Sequence, residues 1–144
     1  MTAIIIATDL IKKFEGLRLT PYYCSAGHKT IGYGHVIRQD EAIGNRINKE
    51  QAESLLEDDI RKAENILHRY CNVPLTENQQ AALISFIFNC GVGAFQSSTL
   101  RQKLNRGEYM KAADEMLKWV YTKGGIKLQR LMKRRRIEQS LFLN

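Results

Sequence analysis

Nowhere in its 144 residues does this chain approach the ~20 consecutive apolar positions that a membrane-spanning helix requires. The opening MTAIIIATDLIKKF carries only a short apolar patch with no charged leader before it, so neither a secretory signal nor a signal anchor is expected. Repeats and low-complexity segments are missing as well, which argues against solenoids and disordered tails. Cysteine is scarce and odd in number. Cys24, Cys71 and Cys90, with no close CxxC pair, argue against both a disulfide framework and a zinc site, and reduced thiols suit a cytoplasm. Acid is the short side of the charge balance: 15 Asp and Glu face 22 Lys and Arg, and the resulting +7 points to an anionic partner. No nucleic-acid-binding motif accompanies that charge, so nucleic acid is not the expected partner. Nothing implies a metal or an organic cofactor. What remains is one domain, 44% apolar, long enough to bury a substantial core.

The informative stretch is FEGLRLTPYYCSAGHKTIGYGH, in which Glu15, Cys24 and Thr30 stand at the spacing E-x8-C-x5-T. Glu15 ends an amphipathic helical stripe, and Gly16 releases the backbone just past it. The residues that follow read as a β-hairpin, and a turn centred on Gly27 puts Cys24 directly opposite Thr30 on one face. A carboxyl group then faces a thiol and a hydroxyl across a groove. Glycosidic-bond cleavage needs this layout: a proton donor on the leaving oxygen and, beyond the sugar ring, a group that activates water or attacks the anomeric carbon. Singly these are ordinary residues, a helix-end acid, a small core thiol and a strand threonine; their joint spacing carries the reading. As thiolate, Cys24 can serve as base or as nucleophile, with His28, Lys29 and His35 as the local cations. Alternatively Glu15 acts alone as acid and base, the arrangement of lytic transglycosylases, which leave 1,6-anhydro ends. A cysteine amidase built on Cys24 with His28 or His35 would leave Glu15 and Thr30 unexplained.

At these residues the chain resembles the phage-type lysozymes, the glycoside hydrolase family 24 endolysins. FNCGVGAFQSSTLRQKLNRGEYMKAADEMLKWVY and the basic stretch ending RRRIEQSLFL resemble that family too, so the similarity covers nearly the whole chain. The resemblance implies an α+β, mostly α, lysozyme-like fold: a small N-terminal lobe with a β-hairpin, a larger helical C-terminal lobe and a cleft between them. It implies hydrolysis of the β-1,4 bond between N-acetylmuramic acid and N-acetylglucosamine in bacterial peptidoglycan, with Glu15 as general acid and Thr30 holding the water. Cys24 stands where most relatives have aspartate, although a cysteine variant also occurs. Phe88, Asn89, Ser98 and Thr99 match family positions at or near the cleft of the helical lobe. Endolysins accumulate in the host cytoplasm and reach the wall through a separate holin-type pore, which becomes the expectation here, for a monomer.

Along the chain, residues 1–47 are expected to form the helix and hairpin lobe, 48–70 a connecting helix, and 71–144 the helical lobe. Asn48 with Gln51 and Thr76 with Gln79 are capping-box signatures opening two helices. The first carries a stripe of Ala52, Leu55, Leu56, Ala63 and Leu67. The second, AALISFIFNCG, is apolar all round and reads as a buried central helix. Shorter helices are expected over Ser98 to Asn105 and Tyr109 to Tyr121, then a break at Gly124 and Gly125 and a basic terminal helix. That helix, ending in LFL, is either a solvated face or a surface for an anionic envelope. Arg135, in line with Leu128, Leu131 and Met132, is expected to point inward toward an acid, with Glu15 the candidate. Asp59 sits on an apolar stripe where a bare carboxylate is costly, and His35 is its natural partner in a structural pair. Gly32 and Gly34 occupy strand positions where a ligand or another backbone can approach closely, and Gly32 is the substrate-contact candidate.

Overall fold

The computed structural model describes residues 2–122 and 124–144. Helix α1 (Thr2–Glu15) leads into an antiparallel sheet of β1 (Arg18–Tyr23), β2 (Lys29–Gly32) and β3 (His35–Val36), in the order β1-β2-β3. Helix α2 (Lys49–Tyr70) follows, then α3 (Glu77–Cys90), α4 (Val92–Gln96), α5 (Thr99–Asn105), α6 (Tyr109–Met116) and α7 (Gln129–Leu143). The architecture is α+β and mostly helical.

Both capping boxes form. Gln51 N donates to Asn48 Oδ1 at 2.7 Å while Gln51 Oε1 accepts from Asn48 N, and Thr76 and Gln79 exchange the same pair of bonds. Each box satisfies two of the backbone donors a helix start leaves orphaned. Because α3 has no polar face, every residue from Ala81 to Ile87 is buried. It forms the central post, packed by α1, α2 and α7. Burying each large side chain along it, Leu83, Ile84, Phe86 and Ile87, contributes ~1.5–3 kcal/mol. The buried Ala3, Ala7 and Ile11 of α1 lie in the main core, and α1 packs on α3. The sheet rests on α2, where Ile31 is fully buried.

Two elements depart from the sequence expectation. Helix α6 stops at Met116 rather than Tyr121. The β-branched and aromatic run Trp119–Val120–Tyr121–Thr122 is a poor helix former, and it doubles back instead: Tyr121 bridges Lys127, Thr122 N donates to Ile126 O, and Gly125 supplies a turn at φ 78°. Strand β3 was not anticipated. It pairs His35 with Ile31 and Val36 with Thr30 across a tight turn that needs positive φ at Gly32 and Gly34.

Candidate active site

The hairpin is two residues out of the expected register. Tyr22, not Cys24, is paired with Thr30, and Tyr23 with Lys29. Gly27 N donates to Cys24 O at 2.9 Å and Cys24 N to His28 O at 3.0 Å, so the loop is a three-residue turn whose last member, Gly27, sits at φ 81°. A glycine in that left-handed position closes such a loop without strain. Cys24 therefore lies at the mouth of the turn, diagonal to Thr30. A shift of the partner by two residues leaves side-chain parity unchanged, and both residues line the same cleft. Further back the register shifts again between Arg18 and Tyr22, around Pro21, which has no N–H to give the ladder.

Glu15 is the last residue of α1. Gly16 N donates to Lys12 O, and the chain turns away at Gly16 with φ 68°. The carboxyl group is gripped from two sides. Arg134 Nη1 donates to Oε2 at 2.7 Å. On the other side Gly34 comes so close that a Cβ there would lie 2.6 Å from Oε1. Arg134 is itself anchored: its Nε donates to Glu138 Oε2 at 3.2 Å and its Nη2 reaches the Ser85 carbonyl. Its guanidinium also lies over the Phe14 ring, 4.6 Å from the centroid.

Arg135, expected to meet Glu15, points elsewhere. It is fully buried, with Nε 2.7 Å from Glu138 Oε1, Nη2 donating to Asn89 Oδ1 at 2.9 Å and Nη1 directed at Cys90 Sγ. Both arginines do face inward. Adjacent residues diverge by about 100° around a helix, and that angle sends one to the cleft and the other to the core. Two cations and two anions, Arg134, Arg135, Glu15 and Glu138, thus form a balanced cluster in a region where an unpaired charge is costly.

The cleft has a volume of about 830 Å³, and Glu15, Cys24 and Thr30 all line it. Thr30 is 2% exposed and its hydroxyl donates to His28 O at 2.8 Å, so its lone pairs are what it offers to a neighbour. Cys24 is half-buried; of the three thiols it alone borders this cleft. Burial pushes the Cys71 and Cys90 thiols up, which keeps both protonated. Phe88 and Asn89 line the cleft as expected for a substrate wall. Ser98 and Thr99 do not. The Ser98 side chain is buried and caps α5, accepting from Arg101 N and donating to Phe95 O, and Thr99 is exposed on that helix, outside the lining. Gly32 is also outside it: its α-carbon faces Ala52 of α2, where a Cβ would meet the alanine methyl at 3.4 Å. Its bareness serves packing of the sheet on α2, not ligand approach.

Three residues at the site were missed. Gly34 was read as a position of close approach but not as a neighbour of Glu15, Arg134 was passed over for its neighbour, and Tyr22 was not considered. Tyr22 borders the cleft with Arg18 stacked on its ring at 4.5 Å. Burial and then the nearby Glu15 push its phenol up, with Cys24 adding to this and Arg18 and Arg130 opposing it. Behind the sheet, His35 Nδ1 lies 2.7 Å from Asp59 Oδ2, and Nε2 lies 2.8 Å from Glu41 Oε2. Glu41 is an addition that no spacing announced. Burial alone would lower the His35 pKa, but the hydrogen bonds and charges of Asp59 and Glu41 outweigh it and raise it.

Chemically, one cleft is lined by a carboxyl group held by an arginine, a thiol and an acceptor hydroxyl. Among the described residues no group of three or more His, Cys, Asp or Glu side chains converges in the manner of a metal site.

Comparison with known proteins follows the same residues. A family model described as phage lysozyme matches residues 12–138, which include the whole constellation. An endolysin of Acyrthosiphon pisum secondary endosymbiont phage 1 is 46% identical over 136 residues, covering 92% of this chain and 92% of that protein. The endolysin of Bacillus phage B103 is 44% identical over 137 residues, and there the match takes in 94% of this chain but only 51% of the longer relative. Among solved structures, the endolysin from Escherichia coli O157:H7 phage FAHEc1 superposes with a TM-score of 0.84 at 38% identity, over 96% of this chain and 91% of that one.

Proposed function

The chain belongs to the phage lysozyme family, and from that premise we propose that Glu15, Cys24 and Thr30 carry the reaction. The protein is a glycoside hydrolase, an endolysin whose substrate is bacterial peptidoglycan. The bond cleaved is the β-1,4 link between N-acetylmuramic acid and N-acetylglucosamine. Glu15, a carboxylate paired with Arg134 in the open cleft, takes up a proton from solvent before the reaction and gives it to the leaving oxygen. With Oε2 committed to Arg134, the proton is delivered from Oε1, the oxygen beside Gly34. Opposite it, a water donates one hydrogen to the Thr30 hydroxyl, whose own proton is already spent on His28 O. The other hydrogen goes to the Cys24 thiolate as the water oxygen bonds to the anomeric carbon. General-base activation of water is the inverting route; a cysteine that attacked the sugar itself would retain configuration.

The observation that carries this reading is the convergence of the three side chains on one cleft, with Glu15 held by Arg134. Glu15→Gln, which keeps shape and removes the proton donor, is expected to lower release of reducing ends from purified sacculi by more than about a thousandfold, since general acid–base catalysis alone contributes ~10²–10⁴. Full activity in that variant would end the assignment. Mass spectrometry of the fragments provides a second check, with reducing ends expected and anhydro ends pointing to internal ring closure.

His35 and Asp59, with Glu41, serve as a structural cluster tying β3 to α2 rather than as reacting groups. No helix among the described residues is long and apolar enough to cross a membrane. As part of the same proposal, and from the likeness to endolysins rather than from that absence, the protein stays in the host cytoplasm until a separate holin-type pore releases it. Expression without a pore-forming partner should leave cells intact, and lysis from expression alone would contradict this. A monomer suffices for the proposed chemistry, because Glu15, Cys24 and Thr30 belong to one chain and line one cleft. The exposed Arg130, Lys133 and Arg136 on α7 provide a face for an anionic envelope surface.

A further inference from the structure

The cleft is far more cationic than the proposed chemistry requires. Besides Glu15 and Arg134, which neutralise each other, its wall carries Lys13, Arg18, Arg130 and Lys133. All four are exposed, and none makes an ion pair or a side-chain hydrogen bond among the described residues. They come from three elements, α1, β1 and α7, so they are not one solvated helix face. Like charges facing a common gap repel one another, and low-dielectric walls focus their field into it. Such an arrangement is a cost to the folded state unless an anion enters.

The glycan backbone presents hydroxyl and acetamido groups and no charge where N-acetylmuramic acid carries its peptide. The anionic part of a peptidoglycan strand is the stem peptide, with its free carboxylates. Arg18 is suited to meet one. Its guanidinium carbon lies over the Tyr22 ring, 4.5 Å from the centroid, and with no ion pair or side-chain hydrogen bond of its own among the described residues it has N–H groups to offer a bidentate carboxylate. On α7, Arg130 and Lys133 stand three residues apart, on the same flank as Arg134, so they overhang the side of the cleft from which Glu15 is held.

We infer that Arg18, Arg130 and Lys133, with Lys13 at the edge, form a carboxylate-reading wall that meets the free carboxylates of the substrate's stem peptide and so favours strands whose stem carboxylates are free over amidated ones. This inference rests on the peptidoglycan reading above and adds to it a recognition chemistry. Its physical consequence is a substrate preference carried mainly by KM and weakened by salt, because the contacts are exposed ion pairs within the reach of screening.

The test uses soluble, uncrosslinked, teichoic-acid-free glycan strands in two forms: stem carboxylates free, or converted to neutral methylamides. Wild-type protein is expected to show a kcat/KM about tenfold or more higher on the free form at low salt, mostly through KM, and the preference should fade as salt rises. The double variant Arg130→Gln, Lys133→Gln should bring the ratio between the two forms down to about threefold or less. Retention of the same strands by the Glu15→Gln protein supplies a readout independent of turnover. Tighter retention of the free form supports the inference even if the wild-type protein releases no reducing ends, an outcome that would instead remove the muramidase assignment. A ratio of one in wild type, or a ratio unchanged in the double variant, overturns it. So does a double variant that loses binding to an added phosphodiester wall polymer while keeping its full preference for free carboxylates, because the cations would then serve that polymer.

Discussion

Glu138 is the residue whose loss should be felt furthest from where it sits. It is fully buried, and four donors converge on it: Ser85 Oγ at 2.6 Å, Arg134 Nε and Arg135 Nη2 each at 3.2 Å, and Arg135 Nε 2.7 Å from the second oxygen. That last pair does not meet strict hydrogen-bond geometry, yet at this separation it is an ion pair in all but angle. Glu138→Gln preserves the shape and turns a charge into an amide whose N–H₂ faces guanidinium donors. Arg135, 0% exposed, is left without a counter-charge. Breaking a buried pair from one side costs about 3–5 kcal/mol, which for a chain of this size lowers the melting temperature by roughly 10 °C. Thermal and urea unfolding followed by circular dichroism measures it. Adding Arg135→Met removes the orphaned cation and leaves Arg134 with Glu15, so the double variant should be more stable than the two single losses added together, by at least ~1 kcal/mol. A Glu138→Gln protein within about 1 kcal/mol of wild type, or strictly additive losses, would refute the balanced-cluster argument. Activity supplies a second arm. With its anchor gone, Arg134 should hold Glu15 less firmly, and kcat should fall in protein that is still folded at the assay temperature.

The other predictions concern the sheet and the cleft. The folded His35 pKa is raised above its ordinary 6.5, so its contribution is complete below that value and is lost as pH rises through the folded one; Glu41, lowered from 4.5, contributes above that value and loses its share as pH falls through its folded one. His35→Asn should therefore destabilise by about 2 kcal/mol near pH ~5.5 and by clearly less near pH ~9, as read from urea midpoints; an equal loss at both would break the linkage. Cys24→Asp is expected to retain substantial hydrolysis of sacculi, because a carboxylate can take the same proton, whereas Cys24→Ser, far less acidic, should lose most of it. A serine variant as active as wild type would remove Cys24 from the chemistry. Gly34→Ala places a methyl 2.6 Å from Glu15 Oε1 at a φ of +75°; kcat should drop about a hundredfold, with roughly 1–2 kcal/mol of stability lost to the left-handed backbone. Near-normal turnover would mean that the close approach does not orient the carboxyl.

Local signals were legible in the chain because they depend on near neighbours. Asn48 with Gln51, and Thr76 with Gln79, cap helices through bonds spanning three residues. Glu15 before Gly16 marks a helix end for the same reason, and an unbroken apolar run in AALISFIFNC leaves α3 no face to show to water. Even the misjudged turn kept Cys24 and Thr30 on one side, since an even shift in register preserves strand parity. The E-x8-C-x5-T spacing and the long family-like stretches were sufficient to point to a peptidoglycan-cleaving glycoside hydrolase.

Contacts between distant elements required the folded chain. Arg134 reaches Glu15 across 119 residues. Both it and Arg135 face inward, and only the rotation of α7 about its own axis, set by how it packs on α3, decides which of the two meets Glu15. Glu41 joins His35, and Gly34 rather than Gly32 walls Glu15, because the turn between β2 and β3 curls toward the end of α1. The cationic wall likewise exists only when α1, β1 and α7 converge. Short-range bonding and periodicity belong to the sequence itself, while pairings between separate elements depend on their relative rotation and register, which the packing of the whole core determines.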